Sequence, residues 1–212
     1  MNGKIVGILA LALAFCMQSC FNIKKDNSSL SEDDRKIIER LDLFEKEATN
    51  VMTDSTILLG IELQCFEREY NRKIAELIRT EKLNKIGNAC YYTFDFGNNI
   101  KAIGELAPVF KKGKLFKLDI NVRWDNPESV LPISFLFSKL NDSFNSKYGH
   151  WENVMHIVNE YSIYERDWYG EGKHIALSSS NISYSCAKEE YEDYQEAIEN
   201  TQKNKEEASK DI

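Results

Sequence analysis

His150, His156 and His174 are the only imidazoles in the 212-residue chain, so histidine-centred chemistry must use them. If the strands carrying His156 and His174 pair, the two rings approach each other, and Glu160 or Glu171 could complete an acid–base or metal set. The ligand spacings of zinc sites are absent, and surface or sheet-facing imidazoles with no shared role are the simpler expectation. Ser178-Ser179-Ser180 offers hydroxyls without an evident base or oxyanion hole and reads as a turn. The acids between 189 and 199 lack the alternating spacing and glycine of a calcium loop and read as a solvated helix face. The sequence contains no nucleophile elbow, zincin, Cys-x-x-Cys, phosphate-loop or dinucleotide motif. No catalytic residue, metal site or cofactor is assigned.

The N-terminus has a clearer pattern. Lys4 precedes an apolar or small run from Ile5 to Phe15, the charged and hydrophobic regions of a secretory signal. As a helix this run is roughly 16 Å long at about 1.5 Å per residue, too short for a bilayer core of about 30 Å. Met17-Gln18-Ser19-Cys20 follows and resembles the lipobox of bacterial lipoprotein precursors. In that family an apolar residue stands three before the cysteine and a small residue directly before it. Met17 takes the place where Leu is usual, Gln18 is larger than the common residue, and Ser19 fits well. The resemblance implies that residues 1–19 are removed and that Cys20 receives a diacylglycerol and a further acyl chain such as palmitate. Two or more chains anchor a protein stably, whereas one does so only marginally. Phe21 stands where an Asp would favour inner-membrane retention in some bacteria, which points to the outer membrane.

With Cys16 removed and Cys20 lipidated, Cys65, Cys90 and Cys186 remain, an odd number that permits at most one internal bond. Cys90 opens one strand and Cys186 closes another, so they form the candidate disulfide, with buried free thiols as the alternative. Tyr161 to His174 is the candidate partner surface. There Tyr164, Trp168 and Tyr169 accompany Arg166 and Lys173 around Gly170-Glu171-Gly172, and aromatics and Arg dominate binding hot spots. The alternative is that Trp168 merely covers a sheet edge.

These residues need elements to position them. Residues 20–31 read as the lipidated cysteine and a polar tether. A helix over 32–51 carries Ile37, Leu41, Phe44, Ala48 and Val51, and a second over 65–83 carries Phe66, Tyr70, Ile74, Leu77 and Ile78. Strands are expected at 90–96, 100–110 and 115–124. The last has Phe116, Leu118, Ile120, Val122 and Trp124 in strict alternation and is placed centrally. Pro108 argues for an edge or bulge in the middle one. A third helix over 131–148 presents Ile133, Leu136, Phe137, Leu140 and Phe144. Strands near 154–165, 173–178 and 181–187, a helix over 188–199 and a frayed tail over 200–212 complete the chain.

The expected fold is α+β, one domain over 32–199, with an antiparallel sheet of five to six strands and helices packed on one face. Its order allows two tandem helix-plus-strands units, a layout similar to that of small envelope inhibitors and assembly lipoproteins. This is a fold-level analogy that licenses no function. Eleven Phe, ten Tyr and three Trp exclude wholesale disorder. A net charge of −7 and a pI near 5.2 argue against nucleic acid as a partner. The expected function is that of a non-catalytic, lipid-anchored interaction module in the cell envelope, with the membrane and an envelope component as partners. The alternatives are a small extracytoplasmic hydrolase and an inhibitor or immunity-type protein.

Overall fold

The computed structural model describes residues 32–126, 128–129, 131–158 and 163–210. The signal segment, Cys20, the tether and the Tyr161 and Glu160 positions lie outside the described residues. Four α-helices and eight strands follow in the order α1 (Glu32–Ala48), α2 (Glu67–Arg79), β1 (Asn84–Ile86), β2 (Ala89–Asp95), β3 (Lys101–Lys111), β4 (Lys114–Trp124), α3 (Ile133–Tyr148), β5 (Glu152–Val158), β6 (Ile163–Gly170), β7 (Lys173–Leu177), β8 (Asn181–Cys186) and α4 (Ala187–Lys210). The fold is α+β with a single antiparallel sheet, in spatial order β1-β2-β3-β4-β8-β7-β6-β5. The sheet therefore has eight strands rather than five or six. The stretch read as one strand near 154–165 is divided between β5 and β6, which pair as a hairpin, and the three-residue β1 is too short to show a period. The last helix runs on to Lys210 instead of ending near 199.

Two helix-plus-four-strand runs, α2 with β1–β4 and α3 with β5–β8, meet where β4 pairs with β8. β4 is thus internal, and its alternation sets the two faces of the sheet. Leu118, Ile120 and Val122 point to the face covered by α2 and α3, where the main core lies with Tyr70, Leu77, Leu136, Leu140 and Trp168. Phe116 departs from the expected alternation. A bulge between Val109 and Phe110 shifts the pairing so that Phe110 faces Leu115, and Leu115 takes the core place. Phe116 is left half-buried beside the Lys111 ammonium, 5.6 Å from its ring centre. Pro108 lies beyond the end of the β2 pairing, where its missing N–H breaks no ladder bond to that strand. The Lys112-Gly113 tip has φ of 50° and 75°, the two positive values of a type I′ hairpin turn.

The helices are not confined to one face. Adjacent strand residues point to opposite sides, and Trp168 packs on Phe144 of α3 while neighbouring Asp167 pairs with Arg40 of α1. α1 and α4 therefore cover the second face over the β5–β8 half. Periodicity revealed which residues are apolar but not that a second, more polar helical layer would cover the polar side of the strands. Three residues assigned to apolar helix faces are exposed instead. Val51 lies beyond the end of α1 at Ala48. Phe66 is the N-cap of α2 rather than part of it, and Ile133 is the first residue of α3.

Candidate functional site

The titratable groups converge where α1 and α4 cross β6 and β7. His174 on β7 is buried, and its two nitrogens meet carboxylates on opposite sides: Nδ1 is 2.8 Å from Glu190 Oε2 and Nε2 is 2.8 Å from Asp167 Oδ1. Ionised carboxylates only accept, so both ring nitrogens must carry hydrogen and donate, which makes the ring an imidazolium. Burial by itself would lower the His174 pKa. The Glu190 and Asp167 carboxylates outweigh it and raise the group to about 9. Glu190 shows the converse: burial would raise its carboxyl, but His174 and the Ser185 hydroxyl hold it down at about 2.

Asp167 is 1% exposed and also receives Arg40, with Nε 3.1 Å from Oδ2. Ser185 Oγ donates to Glu190. Tyr169 lies parallel to the imidazole at a centroid distance of 4.7 Å, and burial pushes its hydroxyl pKa up. Phe44 of α1 closes the other side, 5.4 Å from His174 and 5.5 Å from Tyr191 of α4. Two cations and two carboxylates thus alternate between the helices and the sheet, surrounded by aromatic rings. The arrangement balances charge in a largely buried interface, where an unpaired ion would be costly. Because the carboxylates sit on opposite nitrogens, they do not converge on one ion. Among the described residues no group of three or more His, Cys, Asp and Glu is arranged to hold a metal.

The neighbouring β6–β7 turn fastens the same layers. Gly172 N donates to Glu47 Oε1 at 2.6 Å, and Gly172 O accepts from Ala187 N at 2.9 Å, joining the end of α1 to the start of α4. Lys173 is buried with its ammonium 3.2 Å from Thr56 O and 5.3 Å from the centre of the Trp151 ring. Gly172 has φ +74°, and a Cβ there would lie 2.8 Å from the Met52 backbone. Gly172→Ala is therefore expected to cost about 1–3 kcal/mol through strained backbone and a displaced 50–56 segment. Urea denaturation checks this, and a loss below ~0.5 kcal/mol would show that the turn is loosely held.

Three of the five residues expected at the partner surface are buried. Trp168 is 0%, Tyr169 3% and Lys173 3% exposed. Arg166 donates to Asn141 and Asn145 of α3 at 3.2 and 2.9 Å. Tyr164 belongs to β6, and its side chain lies outside the described ones. Arg166, Trp168 and Tyr169 serve packing on the two faces of β6, an internal strand. His156 and His174 are not brought together, because β6 lies between β5 and β7; His156 pairs in register with Glu165. Glu171 binds Lys173 instead, at 3.3 Å. Cys65, Cys90 and Cys186 are free thiols. β3 and β4 separate the strands of Cys90 and Cys186, roughly 14 Å at about 4.8 Å per strand, so that disulfide does not form. No motif in the sequence marks Arg40, Asp167 or Glu190 as partners of His174. One signal was available: Asp167 and Tyr169 share a parity opposite to that of Trp168.

A second feature is open to solvent. A cleft of about 530 Å³ runs between the 55–65 loop and α2, lined among others by Glu62, Cys65, Glu69, Arg72, Lys73 and Glu76. Burial, then Glu69 and Glu62, push the Cys65 pKa up, which keeps it a thiol rather than a nucleophilic thiolate. No histidine lines this cleft.

Comparison with known proteins yields no match: no family model, no curated protein and no solved structure is similar to this chain. Among the described residues no helix is long and apolar enough to cross a membrane.

Proposed function

We propose that the chain is a lipid-anchored cell-envelope protein whose α+β domain acts as a non-catalytic binding module. The anchor is Cys20, acylated after removal of residues 1–19, and it holds the domain outside the cytoplasm, at the outer membrane. Support for the anchor comes from the charged, apolar and lipobox-like segments of the N-terminus. The observation that carries the non-catalytic role is the state of His174: buried, with both nitrogens bound to carboxylates. A general base must reach a substrate proton with a free lone pair, and this ring offers none. The binding partner is an envelope protein or envelope component; no nucleic acid is involved.

Detergent fractionation of cells tests the anchor. The native chain is expected in the membrane fraction with a mature N-terminal peptide carrying acyl mass on Cys20. Cys20→Ala is expected to leave the protein unprocessed and unacylated. A soluble native protein whose mature chain starts elsewhere would overturn the anchor. In-cell cross-linking followed by affinity capture then tests the binding role. A saturable partner adduct is expected, and turnover of a substrate by the purified chain would count against it.

A further inference from the structure

The cleft beside α2 contains charged groups left without partners by the fold. Arg68 and Arg72 stand four residues apart on α2, which makes them neighbours on its surface. Together with Glu69 they line a hollow of about 280 Å³, and Arg72 and Glu69 also line the main cleft, so the two spaces adjoin. Neither guanidinium has a hydrogen-bond or ion-pair partner among the described residues. Glu69 between them is already engaged, since its Oε2 accepts from the Phe66 amide at 2.9 Å. On the opposite wall Glu62 is exposed and also has no side-chain partner among the described residues. Lys73 and Glu76 answer each other at 3.9 Å. The cleft therefore has Arg72 on its α2 wall, Arg68 just beyond it in the adjoining hollow, and the Glu62 carboxylate on its loop wall.

We propose that this cleft binds a short peptide or amino acid with free termini. The ligand carboxylate meets Arg72 and Arg68, and its ammonium meets Glu62. A planar guanidinium matches a carboxylate through two parallel hydrogen bonds. Glu69 leaves this end with one net positive charge, which suits a monocarboxylate better than a doubly charged phosphate. The apolar lining residues Ile61, Leu63 and Tyr70 are buried, so the open lining is mostly charged or polar and gives little hold to an acyl chain, and the volume falls in the range of small-ligand pockets. This extends the binding role proposed above and rests on it by naming the ligand class.

Calorimetric titration of the full chain in detergent, with Ala-Ala as probe, tests the proposal. Saturable binding is expected at millimolar concentration or below. N-acetyl-Ala-Ala and Ala-Ala amide are each expected to bind roughly tenfold more weakly, the scale of one lost charge-assisted contact. Arg72→Gln should weaken Ala-Ala by a similar factor without moving the melting temperature, because Arg72 is exposed. Glu62→Gln should weaken Ala-Ala but not the N-acetyl form. Absence of saturable binding, equal affinity for inorganic phosphate, or unchanged affinity in both variants would each overturn the proposal. Should the dipeptide fail while in-cell cross-linking still captures a partner, the peptide cleft falls and the wider binding role stands.

Discussion

Ile120→Asp is expected to unfold the domain, whereas Asn121→Asp leaves its stability within about 0.5 kcal/mol. Ile120 is 0% exposed on an internal strand, and its Cγ2 lies 2.5 Å from where a Cβ on Gly104 of β3 would stand. No space or polar partner awaits a carboxylate there. Burying one without a partner costs several kcal/mol even after its pKa rises to neutralise it, a large part of the total stability of an ordinary domain. The next residue points the other way: Asn121 is exposed, and its Oδ1 accepts from Asn181 Nδ2 at 3.3 Å, a role Asp can fill. Thermal melting followed by far-ultraviolet circular dichroism distinguishes the pair. Similar midpoints for the two variants would mean that β4 lies at the periphery or that its register is shifted.

Asp167→Asn is expected to cost about 3–5 kcal/mol, the usual penalty for removing one member of a buried ionic group. The substitution keeps the shape but leaves Arg40 and His174 with less negative charge than their burial requires. The pH dependence gives a separate signature. The folded-state pKa of His174 is about 9 against an ordinary 6.5, so its stabilisation is fully present below about 6.5 and is lost as pH rises to 9. By linkage this loss is on the order of 3 kcal/mol. Glu190 is depressed to about 2 from 4.5, so its stabilisation is present above about 4.5 and is lost as pH falls to 2. Stability should therefore be greatest between about 4.5 and 6.5. His174 faces Asp167 and Tyr169 from β6, Glu190 from α4 and Ser185 from β8, with Arg40 of α1 behind Asp167. Denaturant titrations at a series of pH values should show the alkaline decline in the native chain and a shallower one in Asp167→Asn. A flat profile from pH 6 to 9 in the native chain would remove the ionic joint from any role in holding α1 and α4.

The sequence revealed what alternation and capping encode. Strict alternation from Leu118 to Val122 located β4 and its buried face, and the apolar stripe of α3 emerged with Leu136, Leu140 and Phe144 correctly inward. It did not reveal how many strands the second half holds, because Asn159-Glu160-Tyr161-Ser162 between β5 and β6 contains no glycine or proline to mark a turn. Nor did it reveal the second helical layer. α1 docks through Arg40, Glu47 and Phe44, and a charged residue facing inward looks in sequence like one facing water. His174 is legible in the sequence as one of three imidazoles. Its partners could not be inferred, because Asp167 reaches it across a hairpin and Glu190 from the following helix. The residues taken for a partner surface show the limit of composition: Trp168 and Lys173 have the chemistry of a hot spot and the burial of a core.

The ring of His174 offers the most direct test of whether this cluster is a closed ionic joint rather than a catalytic centre. Nitrogen-15 NMR of the imidazole across pH 5 to 10 reads the protonation of both nitrogens at once. The expected result is two protonated nitrogens at neutral pH and titration near 9. A ring that is neutral at pH 7, titrates near 6.5 and leaves one nitrogen free to accept would contradict it, and would return the site to acid–base chemistry.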